Sequence, residues 1–463
     1  MNITVIGMGY VGLVAAVCFA EMGHTVVGLD NDEDKIRQLQ MGRIPLYEPG
    51  LTELLQKNLS ERRLSFTTSY SLAVSASSLL FLALPTPSCA DGSVDLSYIF
   101  SAAEEIAHCM DSYKLIVNKS TAPVGTVRAI KNQMEKWLLE RGVSLSFDVG
   151  CNPEFLKEGC ALQDFLKPDR IIIGSDSEIV REQLNQIYGG FTLSRDRIIH
   201  MSIAAAELTK YVCNAMLSCR ISFMNEIAAL CEALGVNIQD IRKGLGSDSR
   251  IGPAFLYAGV GFGGSCFPKD LRALLDFARK CSLPSPLLNA IWQVNTQQKR
   301  LLYQKLQKLL APYGGLYNKV IAIWGLSFKP DTDDIREAPS LDLIQSLQTS
   351  GARLQLFDPV AMSKAKATLS SLENLTFCAS EKGAATGADA ICLITEWKQF
   401  RYINMREIFS VMRRKFFVDG RNQYCPNDMK KLGFIYSGIG TPAGSDGVEE
   451  CLEVDSDLSA CRN

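Results

Sequence analysis

The run Gly261-Phe262-Gly263-Gly264-Ser265-Cys266-Phe267-Pro268-Lys269-Asp270 sets one thiol behind three glycines and just ahead of a helix start. Glycines leave the backbone bare, so a ligand can come close at Gly261 and Gly263. Pro268 suits the first turn of a helix running through Leu271–Lys280. Cys266 then lies at a helix N-terminus, where the dipole and Lys269 favour the thiolate. Asp270 follows four residues later, within reach of the same space. A thiolate next to a hydride acceptor suits aldehyde oxidation. It adds to the carbonyl, the thiohemiacetal loses hydride, and the resulting thioester is hydrolysed. A Gly-rich turn around an inert cysteine is the plain alternative.

The hydride acceptor is announced at the other end of the chain. Met1–Ile6 reads as a strand, Gly7-Met8-Gly9-Tyr10-Val11-Gly12 follows, and residues 13–22 read as a helix. Gly7 permits the tight turn, Gly9 lets backbone approach a pyrophosphate, and Gly12 allows close packing of helix on strand. The helix start at Tyr10 and Val11 offers N–H groups to the phosphates. Asp30 closes a second strand, His24–Asp30, 18 residues after Gly12. A carboxylate there accepts ribose hydroxyls and repels a 2′-phosphate, which favours NAD over NADP. Lys35 is close enough to act in the opposite sense, so NADP stays open.

Other groups have chemical uses in such a setting. Lys210 and Asn214 are four apart on a long helical stretch and share a face, as an oxyanion site needs. Asn152-Pro153-Glu154-Phe155-Leu156-Lys157-Glu158-Gly159 carries two carboxylates, either of which can activate water. Thr86 in Leu84-Pro85-Thr86-Pro87, and Thr121 in Lys119-Ser120-Thr121-Ala122-Pro123, follow buried-type strands. Ligands bind at such strand ends in parallel sheets.

Strands alternating with helices predict an α/β chain with doubly wound parallel sheets. Residues 202–235 contain no Pro, and Gly appears only at their end, so they read as one long central helix. Beyond about 318 the first pattern recurs: Lys319–Gly325, a helix over Glu337–Ser350, Arg353–Asp358, and Ala388–Thr395. The expected organisation is a dinucleotide-binding Rossmann domain (1–200), a helical middle domain carrying Cys266 (201–311), a second Rossmann-like domain (312–437) and a disordered tail (438–463).

Composition narrows the class. With 463 residues, 47% hydrophobic, 21% charged and net charge −2, the chain has no basic footprint for nucleic acid. Fifteen cysteines occur without a C-x-x-C pair, and only three histidines are present, so no metal site is expected. Residues 2–20 are uncharged but lack a basic lead-in and are broken by glycines, which argues against a signal peptide or membrane anchor. The expected setting is cytoplasmic.

Taken in order, G-x-G-Y-V-G, L-P-T-P, K-S-T-x-P-x-G, N-P-E-F-L-K-E-G, K-x-x-x-N, G-F-G-G-S-C-F-P-K-D, the run Gly325–Ser340 and Asp419-Gly420-Arg421 resemble the UDP-glucose/GDP-mannose dehydrogenase family, and within it the UDP-glucose branch. The resemblance covers about residues 1–436. It implies a four-electron oxidation of UDP-glucose to UDP-glucuronate by two NAD⁺. It makes Cys266 the nucleophile, Lys210 and Asn214 the oxyanion donors, and Asp270 with Thr121 the holders of a water. It makes Glu154 the hydrolytic base. The first general base stays open between Lys210 and that water. Phe155, Leu156 and Lys157 would meet the substrate, Glu158 would lie near the nicotinamide, and Lys269 and Arg336 would reach NAD. Lys329 and Arg421 would neutralise the UDP phosphates. Arg250 would reach the substrate of a neighbouring subunit, which implies a homodimer or larger. Phe255 and Tyr257 belong to the same substrate segment; Tyr257 stands where animal-type members carry Lys. GDP-mannose or a UDP-N-acetylhexosamine as substrate is the nearest alternative. An idle nucleotide-sugar-binding regulatory protein is the alternative from another class.

Overall fold

A computed structural model describes residues 1–191 and 197–441. Most of the expected tail, 442–463, lies outside the described residues. The chain divides into two compact units, Met1–Cys213 and residue 214 onward.

The first unit is built on β1 (Asn2–Ile6), β2 (Thr25–Leu29), β3 (Leu64–Thr67), β4 (Leu79–Leu82), β5 (Lys114–Asn118), β6 (Phe147–Cys151), β7 (Ile171–Gly174) and β8 (Ile198–Met201). They form one sheet in the order β3-β2-β1-β4-β5-β6-β7-β8. The order reverses between β1 and β4, which makes the crevice beyond their carboxyl ends the place for a ligand. Both faces of the sheet are covered, so β4 and β5 are buried at every position. Alternation then divides β4. Leu79 and Phe81 pack in the core that holds the helix Tyr10–Glu21, and Leu80 and Leu82 in the core that holds Ser97–Cys109. One pairing departs from the expected parallel pattern: β6 meets β7 antiparallel through Cys151 and Gly174.

The turn after β1 is dictated by glycine. Gly7 has φ +97°, and a Cβ there would lie 2.5 Å from the Ala83 carbonyl oxygen. A Cβ at Gly12 would lie 1.7 Å from the Gly7 carbonyl oxygen, so this helix can sit on its strand only without a side chain at that point. Gly9 differs: nothing lies within 4 Å of where its Cβ would be. That open backbone fits the approach of a pyrophosphate.

A 32-residue helix, Ile203–Leu234, runs across the unit boundary. The second unit continues with the helices Ile238–Ser247, Phe267–Lys280, Pro286–Gln298 and Leu301–Leu310. The breaks around Pro284 and Pro286 fall where proline ends one helix and starts the next. Then come β9 (Val320–Trp324), β10 (Arg353–Phe357), β11 (Leu375–Phe377), β12 (Ala390–Leu393), β13 (Phe416–Asp419) and β14 (Ile435–Ser437), in the order β11-β10-β9-β12-β13-β14, all parallel. This repeats the order of the first six strands. Gly325, at the turn after β9, has φ +92° as Gly7 does after β1. Residues 438–441, the first of the stretch expected to lack structure, are held in place. Ile439 is buried, its N–H meets Asn422, and Gly440 donates to Glu232.

Gly12→Ala is expected to cost about 3 kcal/mol or more, because backbone cannot move aside cheaply. Gly9→Ala is expected to leave stability within about 1 kcal/mol, while weakening dinucleotide binding. Thermal unfolding and NADH titration of both variants check this; equal midpoints for the two would contradict the assignment of Gly12 to packing.

Candidate functional site

In the first unit the candidate residues gather at the carboxyl ends of β1, β2, β4, β5 and β6. Asp30, just past β2, accepts from the Met8 N–H at 2.7 Å and the Asp32 N–H at 3.0 Å. Lys35 places its ammonium 3.0 Å from the same carboxylate. Lys35 therefore lies against Asp30 and neutralises part of the charge expected to repel a 2′-phosphate. Thr86 is buried in the loop after β4, and Thr121 is half-buried in the loop after β5. That second loop is pinned by Glu207, a residue the sequence reading passed over. Its buried carboxylate accepts from Gly125 N–H at 2.7 Å and Val127 N–H at 2.9 Å, at the start of the helix Thr126–Glu140.

Glu154, after β6, is buried. One oxygen accepts the Leu156 N–H at 2.7 Å, and the other lies 3.4 Å from the Lys210 ammonium. Phe155 is stacked under Arg170 at 3.9 Å, with Lys210 5.1 Å from its ring centre. Lys157 points outward to Asp164, and Glu158 is half-buried in the same loop. Behind them lies Lys119, fully enclosed, donating to Asn152 at 2.9 Å; Asn152 in turn donates to the Ile172 carbonyl. Burial holds the Lys119 ammonium down at about 8, with the Glu154 charge opposing that shift and Lys210 adding to it. Glu154, Lys119 and Lys210 are thus coupled through their fields, and only the first and last were expected from the sequence.

In the second unit Cys266 is the N-cap residue of Phe267–Lys280, with Pro268 in its first turn, as expected. Ser265 Oγ lies 3.5 Å from its sulfur. Asp270 is buried, accepting from Asn214 at 2.6 Å and from the Lys269 ammonium. The ammonium expected to favour the thiolate contacts Asp270, and Cys266 itself lies at the helix start. The glycines ahead of Cys266 are also needed for close contacts within the protein. A Cβ at Gly263 would lie 2.3 Å from the Glu337 carbonyl oxygen, and one at Gly264 would lie 2.7 Å from the Phe328 ring. These close approaches are made by the protein itself. Amides complete the clamp: Asn295 bonds both the N–H and the carbonyl of Phe262, beside Gly261, while Asn225 and Gln298 hold Gly259. Asparagines on helices carry no spacing signal, so the sequence could not mark them.

Phe255 holds φ +60°, a strained value for a bulky residue. Tyr257 is exposed, with Arg242 stacked on it at 4.0 Å. Arg250 is exposed and bonded to Asp248 at 2.7 Å, and Arg336 is similarly paired with Asp334 at 2.6 Å. Lys329 sits after the β9 turn. Arg421, after β13, reaches that turn by donating to the Phe328 carbonyl, and it pairs with Glu396 at 3.0 Å. Both lie at the carboxyl end of the second sheet. Asp358 is the counterpart of Asp30, accepting the Leu326 N–H at 2.7 Å. It is also filled by Ser327, Val360, Ala361 and the Trp397 indole, which leaves no acceptor for a ribose. Asp358 is thus not placed to hold a ribose as Asp30 is.

The chain matches three domain descriptions in order. They are the UDP-glucose/GDP-mannose dehydrogenase family NAD binding domain at residues 1–192, its central domain at 204–297, and its UDP binding domain at 322–426. It is 45% identical to the UDP-glucose 6-dehydrogenase of Pseudomonas aeruginosa, over 96% of this chain and 98% of that one. It is 43% identical to the UDP-glucose 6-dehydrogenase of Rhizobium meliloti, over 96% of this chain and the whole of that one. Among solved structures, a UDP-glucose dehydrogenase from the archaeon Pyrobaculum islandicum superposes with a TM-score of 0.86 at 37% identity, covering 95% of this chain and 98% of that one.

The position of Lys119 has a pH signature. Its ordinary value is 10.5, so between about 8 and 10.5 the unfolded chain holds a proton that the folded chain has released. Stability contributed by this residue therefore rises with pH across that window and is lowest below 8. Urea midpoints of the wild type and Lys119→Met, taken from pH 7 to 10, are expected to diverge in favour of the wild type. A constant difference would contradict a buried ammonium.

Proposed function

The chain belongs to the UDP-glucose/GDP-mannose dehydrogenase family, and from that premise we propose that it oxidises UDP-glucose to UDP-glucuronate in two NAD-dependent steps at one carbon. One UDP-glucose, two NAD⁺ and one water give UDP-glucuronate, two NADH and three protons. The observation that carries the reading is Cys266 at a helix N-cap, four residues before a buried Asp270 held by Asn214.

When bound, NAD takes hydride from the reacting carbon in each oxidation. Gly7–Gly12 and Asp30 hold its phosphates and ribose, with Lys35, Thr86, Thr121, Glu158, Lys269 and Arg336 completing that site. Lys210 and Asn214 donate to the sugar oxygen as it gains negative charge. The first proton goes to Lys210 or to a water held by Asp270 and Thr121. The Cys266 thiolate then adds to the aldehyde carbon, and after the second oxidation the sugar is a thioester on its sulfur. Glu154 takes a proton from water, the hydroxide adds to the thioester, and the thiolate leaves. No histidine is needed. Lys329 and Arg421 balance the diphosphate. Glu154–Glu158, Phe255, Tyr257, Gly261 and Gly263 line the sugar and nucleoside.

The working unit is a homodimer or a larger homo-oligomer, with Arg250 serving the partner's substrate. One helix supports this. Leu208, Val212, Met216, Phe223, Leu230 and Leu234 of Ile203–Leu234 are each at least 40% exposed, and their spacing puts them on one stripe. A second copy of the same stripe is a natural cover. Among the described residues no helix is long and apolar enough to cross a membrane. A thiol- and NAD-dependent reaction fits a reducing, cytoplasmic setting.

NADH formation with UDP-glucose, GDP-mannose and UDP-N-acetylhexosamines in turn tests the substrate; turnover of GDP-mannose but not UDP-glucose would overturn it. Cys266→Ser is expected to lower steady-state NADH production by at least about a hundredfold and to trap an aldehyde-level or covalent species visible by intact mass. Full-rate turnover by that variant would sink covalent catalysis.

A further inference from the structure

A carboxylate unused in this scheme sits in the turn Tyr47-Glu48-Pro49-Gly50. Glu48 is 7% exposed. One of its oxygens accepts the Ala161 N–H at 2.7 Å and the Leu162 N–H at 3.3 Å. The other accepts the Gly159 N–H at 2.7 Å and the phenol of Tyr10. The Gly159 N–H is shared with the Tyr10 oxygen at 2.9 Å. Among the described residues no cation pairs with Glu48. A buried carboxylate held only by neutral donors is costly to keep unless every donor is in place. This one therefore fixes whatever supplies them.

The donors come from two segments with different tasks. Tyr10 opens the helix directly after Gly9, at the turn read as the dinucleotide cradle. Residues 159–162 directly follow Glu154–Glu158, the loop read as the sugar platform. Burial and the Glu48 charge push the Tyr10 phenol up, so it remains a donor at any working pH. We propose that Glu48 is a positioning residue that fastens the cofactor turn to the sugar loop through Tyr10 and Gly159, so that filling one preorganises the other. The inference rests on the reading above, in which Gly7–Gly12 takes NAD and residues 154–158 take the sugar.

The test is the factor by which saturating UDP-glucose changes the Kd of NADH, read by NADH fluorescence on the full chain. The variants are Tyr10→Phe, Glu48→Gln and the double. Tyr10→Phe removes one hydroxyl and is expected to keep the thermal midpoint, yet to move the factor towards one by about threefold or more. Glu48→Gln is expected to move it further, and the double no further than Glu48→Gln alone. The Kd of UDP, which carries no sugar, is expected to be unchanged in all three. A wild-type factor within twofold of one, or a factor unmoved in folded Tyr10→Phe, overturns the proposal. So do additive effects in the double variant. If Glu48→Gln does not fold, Tyr10→Phe decides alone. Failure of the wild type to make NADH from UDP-glucose would remove the functional reading, and this inference with it. An active wild type with unmoved variants removes this inference only.

Discussion

The bond from the Met8 N–H to Asp30 is one case of a contact on which much of the molecule depends. Loops beyond the carboxyl ends of parallel strands leave the hydrogen-bond ladder, and their N–H groups need acceptors once they are buried. Here a carboxylate takes that place repeatedly. Asp30 holds the turn after β1, Glu207 the loop after β5, and Glu154 and Glu48 the two ends of the loop after β6. Asp358 and Asp419 do the same in the second unit, for the turns after β9 and β13. Each is an acceptor with several lone pairs, and all but Glu154, whose second oxygen faces Lys210, fix two or more N–H groups at once. The chemistry proposed for this chain needs many groups on such loops, and anchored loops are what make that possible.

The two sheets show one device put to two ends. After β1 and after β9, a glycine with positive φ turns the chain, and the next residue donates its N–H to the aspartate that ends the second strand. In the first unit the device is left partly open, with Lys35 alongside and Gly9 bare. In the second unit Trp397 and three further backbone N–H groups close it. In the function proposed above, nucleotide handling in the second sheet falls to the cations Lys329 and Arg421. A shared topology does not by itself say which ligand each sheet takes.

Much of this was legible in the sequence. The Gly7–Gly12 turn, the terminal Asp30 and Asp358, the helix starting at Pro268 and the proline-free run ending at Leu234 all carry local signals. The strands Leu64–Thr67, Leu375–Phe377 and Ile435–Ser437 carry none, being three or four residues long at or near sheet edges. The antiparallel β6–β7 contact rests on one residue pair and has no pattern of its own. Glu48, Glu207, Asn225 and Asn295 were missed because their partners are backbone groups far along the chain. What packs against Gly263 and Gly264 was not legible, because a bare backbone does not reveal what approaches it.

The helix Ile203–Leu234 inverts the usual arrangement of a surface helix. Asn214 and Asn225 are buried while Met216, Phe223 and Leu230 are exposed. At 3.6 residues per turn, Asn214, Asn225 and Glu232 fall on nearly one line, and they meet Asp270, Gly259 and Lys305 respectively. The helix therefore works as a ruler with fixed graduations. Losing a single residue between Asn214 and Asn225 would turn the later marks by about 100° from their partners. The number of residues between these marks is therefore fixed as firmly as the identity of the marks themselves.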